Sequence, residues 1–129
     1  TARKALATAT RLQGESAEGW HVEAFVAWIE RKWAAMEAAW RRAIELDPTN
    51  AVALGALAEH ELRAGRAFEA RAFSERRLAA APADRRSLLI ASQIEEKLGD
   101  TQAAGRYVQR MKTEFPDARD SGTGGNGKP

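Results

Sequence analysis

Two histidines and several carboxylate pairs are the residues of this chain that could do chemistry. His21 and His60 lie 39 positions apart. Neither has a partner at the HExxH spacing that places zinc ligands on one helical face. A site assembled between separate helices stays open, but the plain expectation is that both are partly exposed helix residues. Glu59/Glu61 and Glu95/Glu96 are two apart or adjacent, so neither pair shares a helix face. They read as solvated charge, whereas acid–base catalysis needs carboxyls held at a substrate pocket. The late stretch GTGGNGKP, residues 122–129, lacks the spacing of a phosphate loop and no helix follows it. The chain has no cysteine, which excludes disulfides, thiolate catalysis and cysteine-ligated zinc. The expectation is a chain with no catalytic residues, no metal and no cofactor, and hence not an enzyme.

The tryptophans are more informative. Trp20, Trp28, Trp33 and Trp40 fall within 21 residues. What they do depends on the elements that carry them, and the prolines give the ruler. Pro48, Pro82 and Pro116 are each 34 residues apart. Each follows a helix-like run: WRRAIELDP, SERRLAAAP and YVQRMKTEFP. Proline closes such runs because it lacks an N–H and its ring clashes with the preceding turn. Frames of 17–50, 51–84 and 85–118 align the chain with itself. The fourth place is then Trp20, Leu54 and Leu88. The eighth is Ala24, Ala58 and Ser92. The twentieth is Met36, Ala70 and Ala104, and the twenty-fourth is Trp40, Ser74 and Val108. A break inside each frame falls at Arg31, Gly65 and Gly99, and glycine tolerates the left-handed conformation that ends a helix. Large residues at some places and small ones at others suit antiparallel helix pairs in close contact.

On these residues the chain resembles the tetratricopeptide repeat family, whose period is 34. The resemblance implies an all-α fold of helix hairpins stacked in a right-handed superhelix, an α-solenoid. It covers 17–118 in three repeats. Residues 1–16 read as the second helix of an earlier partial repeat and its joint, since Ala2, Leu6 and Ala9 fall where Ala70, Ser74 and Arg77 fall two frames later. Residues 119–129, rich in glycine and small polar residues, read as a flexible tail. The departures are Glu23 at a place usually held by Leu, Arg31 for the turn glycine, and Arg77 at a place usually filled by Ala. In the second repeat Phe73 and Leu78 are expected to supply the buried face instead.

In this family the concave side of the stack is the usual binding surface. The resemblance assigns to it His21, Phe25, Trp28 and Ile29 in the first repeat. Val52, Glu59, Leu62 and Arg63 follow in the second, and Arg86, Leu89, Gln93 and Lys97, with Glu96, in the third. The expected groove is apolar and aromatic at one end and charged at the other. Trp20 and Trp40 are expected to pack between helices, and Trp33 with them. The clamp of Lys, Asn and Arg by which some of these repeats bind acidic carboxyl-terminal peptides has no match here, because His21, Phe25, Gly55 and Glu59 stand at the relevant places.

A narrower likeness lies in the last third. Ile90, Ile94, Leu98-Gly99-Asp100, Ala103-Ala104, Tyr107 and Phe115-Pro116-Asp117 resemble the closing repeat of the type IV pilus biogenesis lipoproteins called pilotins. That resemblance implies a non-enzymatic scaffold on the periplasmic side of the outer membrane, with a secretin subunit as partner. The Trp-rich helices over 17–43 do not share it, and the lipid-bearing cysteine of those proteins is not in this sequence. Two other readings stand beside it: a generic repeat adaptor of the cytoplasm, and the repeat portion of a larger enzyme such as a transferase.

Bulk composition narrows the partners. The 129 residues are 44% hydrophobic and 29% charged, with 20 Lys+Arg against 18 Asp+Glu, a formal charge of +2. Nucleic-acid binders concentrate a larger basic excess on one face, so none is expected here. No apolar run approaches the roughly 20 residues that cross a bilayer. The first residue is Thr1, within a helical pattern and without a signal peptide, which reads as an excised or processed chain. The partners expected are a protein or peptide, with self-association through exposed repeat ends as a further expectation.

Overall fold

The computed structural model describes residues 16–116. The helix expected over 2–14 and the tail expected over 119–129 lie outside the described residues. Within them are six helices: α1 (Ala17–Ile29), α2 (Trp33–Leu46), α3 (Ala51–Arg63), α4 (Ala67–Ala80), α5 (Arg85–Lys97) and α6 (Thr101–Glu114). Successive helices pair as hairpins, α1 with α2, α3 with α4 and α5 with α6, and each hairpin packs on the next through α2·α3 and α4·α5. The fold is an all-α stack of hairpins.

Why each helix starts where it does is written at the same period. The N-caps of α1, α3 and α5 are Ser16, Asn50 and Asp84, again 34 apart. The Ser16 Oγ accepts from Gly19 N at 3.1 Å and the Asn50 Oδ1 from Ala53 N at 3.0 Å. Asp84 and Ser87 form a reciprocal capping box, with the Ser87 N–H donating to Asp84 Oδ1 at 2.7 Å and the Asp84 N–H to Ser87 Oγ at 2.9 Å. Each satisfies backbone donors that the first turn leaves without partners.

The turns inside the hairpins also repeat. Arg31, Gly65 and Gly99 have φ of 59°, 84° and 83°. One residue later, the N–H groups of Lys32, Arg66 and Asp100 donate back to the carbonyls of Ala27, Glu61 and Glu95 at 2.8, 2.8 and 2.9 Å. This is the six-to-one bond that closes a helix through a left-handed residue. At Arg31 a side chain occupies a conformation that glycine adopts without steric cost.

The core lies along the hairpin seams. Leu54, Leu57, Ala58, Ala70, Phe73, Ile90 and Ile94 form one cluster, and Ala24, Ala27, Met36 and Ala39 a second. Trp40 packs against both, and Trp20 against the second. The small residues at the eighth place, Ala24, Ala58 and Ser92, are all buried, so the paired helices approach closely there. Phe73 is buried and Leu78 half-buried, as the departure at Arg77 required. Arg77 itself finds a use at the end of α4, where its guanidinium donates to the carbonyls of Ala81 and Pro82 at 3.3 and 3.4 Å.

Two outcomes test this packing. Arg31→Gly should raise stability by about 1 kcal/mol by removing the left-handed strain of a side chain, read as a higher urea midpoint; a lower midpoint would mean that Arg31 contacts outweigh it. Trp40→Ala should cost about 3 kcal/mol, as large-to-small aromatic changes between packed helices do. A loss under about 1 kcal/mol would place Trp40 outside the core.

Candidate functional site

The face of α1 turned away from the core carries the most exposed aromatic residues of the first hairpin. Phe25 is 57% exposed, Trp28 54% and Ile29 58%. Phe25 and Trp28 are one helical turn apart, and their rings stack with centroids 6.0 Å apart. Trp33, expected in the core, is instead 49% exposed. It is the first residue of α2. Phe25, Trp28 and Trp33, with His21, Met36 and Trp40, line an open groove of about 1140 Å³. His21 is half-buried, its ring 5.0 Å from that of Trp40 and tilted to it.

The polar lining comes from α2, α3 and the start of α4 and α5: Glu37, Glu59, His60, Arg63, Arg66 and Arg86. Aromatic and charged residues line the same groove. A smaller concavity of about 330 Å³ adjoins it, lined by Val52, Gly55, Ala58, Ser74 and Ile90 among others.

Of the residues expected on the concave face, His21, Phe25, Trp28, Glu59, Arg63 and Arg86 line the large groove. Val52 is exposed and lines the smaller one. Ile29 is exposed but lines neither, and Leu62 is half-buried against the core. Leu89, Gln93 and Lys97 are exposed on α5 and line neither concavity. The groove thus belongs to the first two hairpins, with Arg86 reaching in from the third.

The carboxylates read as solvated charge require correction. Glu61 is 0% exposed and Glu95 6%. Glu95 faces the α4·α5 boundary and accepts from Arg71 Nε and Nη2 at 3.2 and 2.6 Å. Glu61 faces the α2·α3 boundary. It accepts from Arg66, whose Nη2 lies 2.9 Å from Glu61 Oε1 and 3.1 Å from Glu37 Oε1. Arg41 Nη2 stands 3.6 Å from the same Glu61 oxygen, and Arg41 Nε donates to Glu37 at 2.9 Å. His60 Nε2 is 2.9 Å from Glu37 Oε1. Glu37, His60 and Glu61 bring ligand atoms within 4.8 Å of one another, a set that could in principle hold a cation. The two guanidiniums already supply the positive charge these carboxylates need. The signal that could have found this cluster is the period itself, because Glu61 and Glu95 are 34 apart and both sit where the first repeat has buried Ala27.

Electrostatics follow the geometry. The hydrogen bond from Arg41, aided by His60, holds Glu37 below its ordinary value of 4.5 against the opposing effect of burial. Burial raises Glu59, but the hydrogen bonds from Arg86 and Arg63 outweigh it and hold the group below 4.5. Arg86 donates to both Glu59 oxygens, and Arg63 to one of them. The hydrogen bond to Glu61 pushes Arg66 upward.

No family model matches this chain, and no curated protein matches it. Solved structures do. The chain is similar to the MamA protein, with a TM-score of 0.73 and 21% identity over 89% of this chain and 66% of that one. It is also similar to PilW, described as a widely conserved type IV pilus biogenesis factor, with a TM-score of 0.70 and 20% identity over 83% of this chain and 49% of that one. At these identities the likeness establishes the fold. The chain spans about half of PilW and about two thirds of MamA. Among the described residues, no helix is long and apolar enough to cross a membrane.

The depressed carboxylates set a pH dependence. A group whose folded value lies below its ordinary 4.5 contributes stability above that pH and loses it as pH falls through the folded value. Thermal stability should therefore fall below pH 4.5, and Glu59→Gln should show a shallower acid loss than the unaltered chain. Identical acid profiles for the two would show that Glu59 carries no net coupling in the folded state.

Proposed function

We propose that this chain is a non-enzymatic protein-binding scaffold that takes an apolar segment of a partner into the groove of its first two hairpins. The observation that carries the reading is the exposed stacked pair Phe25–Trp28, which with Trp33 lines an open concavity of about 1140 Å³. Exposed aromatic patches of this kind mark interaction surfaces, and buried tryptophans commonly dominate interface energy. A peptide lying in the groove would remove these rings from water without any rearrangement of the core behind them.

The finer reading is a pilotin-like role: binding an outer-membrane secretin subunit during type IV pilus assembly, on the periplasmic side of the outer membrane. Two features support it, the structural likeness to PilW and the closing hairpin with its Leu98-Gly99-Asp100 turn and Phe115-Pro116 end. The likeness to MamA is comparable, so the fold does not single out a secretin, and a general adaptor with a different partner is the second reading.

A photo-crosslinking residue placed at Phe25 or Trp33 should give an adduct with the secretin subunit in the source cell, while one at Phe68, exposed but lining neither concavity, should not. An adduct with another protein at Phe25 and Trp33 would favour the adaptor reading, and no adduct at either would defeat the groove. With the captured partner, Trp28→Ala should weaken binding by about 2 kcal/mol or more while leaving helix content unchanged.

A further inference from the structure

The two concavities form one surface. Ala56, Glu59 and Arg86 line both, and Arg86 crosses the seam from α5 to bond Glu59 on α3. On one side of that seam the space is large and walled by aromatic rings. On the other it is about 330 Å³ and floored by Gly55 with Ala51, Ala58 and Ser74.

Gly55 lies inside α3, where glycine is less favourable than alanine by up to about 1 kcal/mol. Nothing in the packing requires it. A Cβ added there would meet only Arg77, at 3.8 Å from Cδ, an ordinary contact, and no left-handed φ is involved. What the missing side chain provides is room on the floor of the smaller concavity.

The seam also carries unspent positive charge. Among the described residues, five guanidiniums, of Arg41, Arg63, Arg66, Arg77 and Arg86, stand against four carboxylates, of Glu37, Glu59, Glu61 and Asp84. Arg63 and Arg86 both lean on the single Glu59, and their side chains are 71% and 66% exposed. A guanidinium has five N–H donors, so donors on both remain available to a second carboxylate.

We propose that this surface recognises a peptide segment in which a bulky aromatic side chain and a small aliphatic one flank a single acidic residue. The aromatic side chain enters the large concavity beside Phe25 and Trp28. The aliphatic one rests on Gly55. The carboxylate between them takes the free donors of Arg63 and Arg86. This rests on the scaffold reading above and adds to it the chemistry of the partner segment.

The test uses an array of short synthetic peptides carrying Trp, Glu and Val at every relative spacing on a Gly/Ser background, with hits remeasured in solution by fluorescence anisotropy. At least one spacing should bind. Replacing its Glu by Gln should weaken binding about tenfold, the scale of one charge-assisted hydrogen bond, and rising salt should do the same. In the protein, Arg86→Gln should abolish the preference for Glu over Gln while keeping the need for Trp. Gly55→Leu, with helix content checked by circular dichroism, should abolish the gain from Val. Peptides that bind through Trp alike with Glu, Gln or Lys would overturn the proposal and leave the scaffold reading standing. An array without binders would overturn it too, and the crosslink at Phe25 then decides the scaffold reading separately.

Discussion

A carboxylate without water, placed where one hairpin meets the next, is the constraint on which the rest of this structure depends. The eleventh place of the frame is Ala27, Glu61 and Glu95 in turn, and all three are buried. An unpaired ionised carboxylate at such depth is prohibitively costly. Each acid is therefore neutralised by arginine, in two different ways. At the second boundary Arg71, on the preceding helix, clasps Glu95 through two hydrogen bonds. At the first boundary the place equivalent to Arg71 is Glu37, an acid, and direct pairing would set two carboxylates against each other. Arg66 bridges both and Arg41 reaches both. Buried ion pairs add little energy over a well-packed apolar pair. We read their contribution here as register: stacked hairpins with similar apolar faces are held to the one alignment that brings a guanidinium to each buried acid.

That solution shapes the groove. Because the first boundary cannot be neutralised by its own two facing residues, arginines are drawn to the wall where α2, α3 and α4 meet. His60 and Glu37 join them there, and this part of the lining is polar while Phe25 and Trp28 of α1 keep theirs aromatic. The sizes of the side chains grade the surface further. Phe25, Trp28 and Trp33 line its first part, and Gly55 with several alanines its second. Arg77 passes near Gly55 at ordinary contact distance and caps α4.

The period made the hairpins legible. Prolines 34 apart, small residues at the eighth place and breaks at Arg31, Gly65 and Gly99 are local signals, and helix ends follow local chemistry. What escaped reading were contacts made between elements. Glu59 and Glu61 look alike along the chain, yet Glu59 points into the groove and Glu61 into a boundary, because they lie about 200° apart around the helix. Trp33 looked like a core residue by type, but at the first turn of α2 it is half-exposed and lines the groove. His60 had no partner at helical spacing because its partner, Glu37, comes from the hairpin before. Phe25 and Trp28 were placed by the family resemblance, and helical spacing puts both on one exposed face. Leu62 was assigned to that face and turned toward the core, as a residue at the edge of an apolar stripe can.

The central claim, that a buried acid neutralised across the repeat boundary holds the stack in register, is tested most directly at Arg71 and Glu95, whose contact is not shared with a second arginine hydrogen bond. Urea unfolding of Arg71→Met, Glu95→Leu and the double variant measures the coupling. Arg71→Met should lower the midpoint by leaving Glu95 buried and unpaired, and adding Glu95→Leu should restore most of the loss. A midpoint unmoved by Arg71→Met, or losses that simply add in the double variant, would contradict the account.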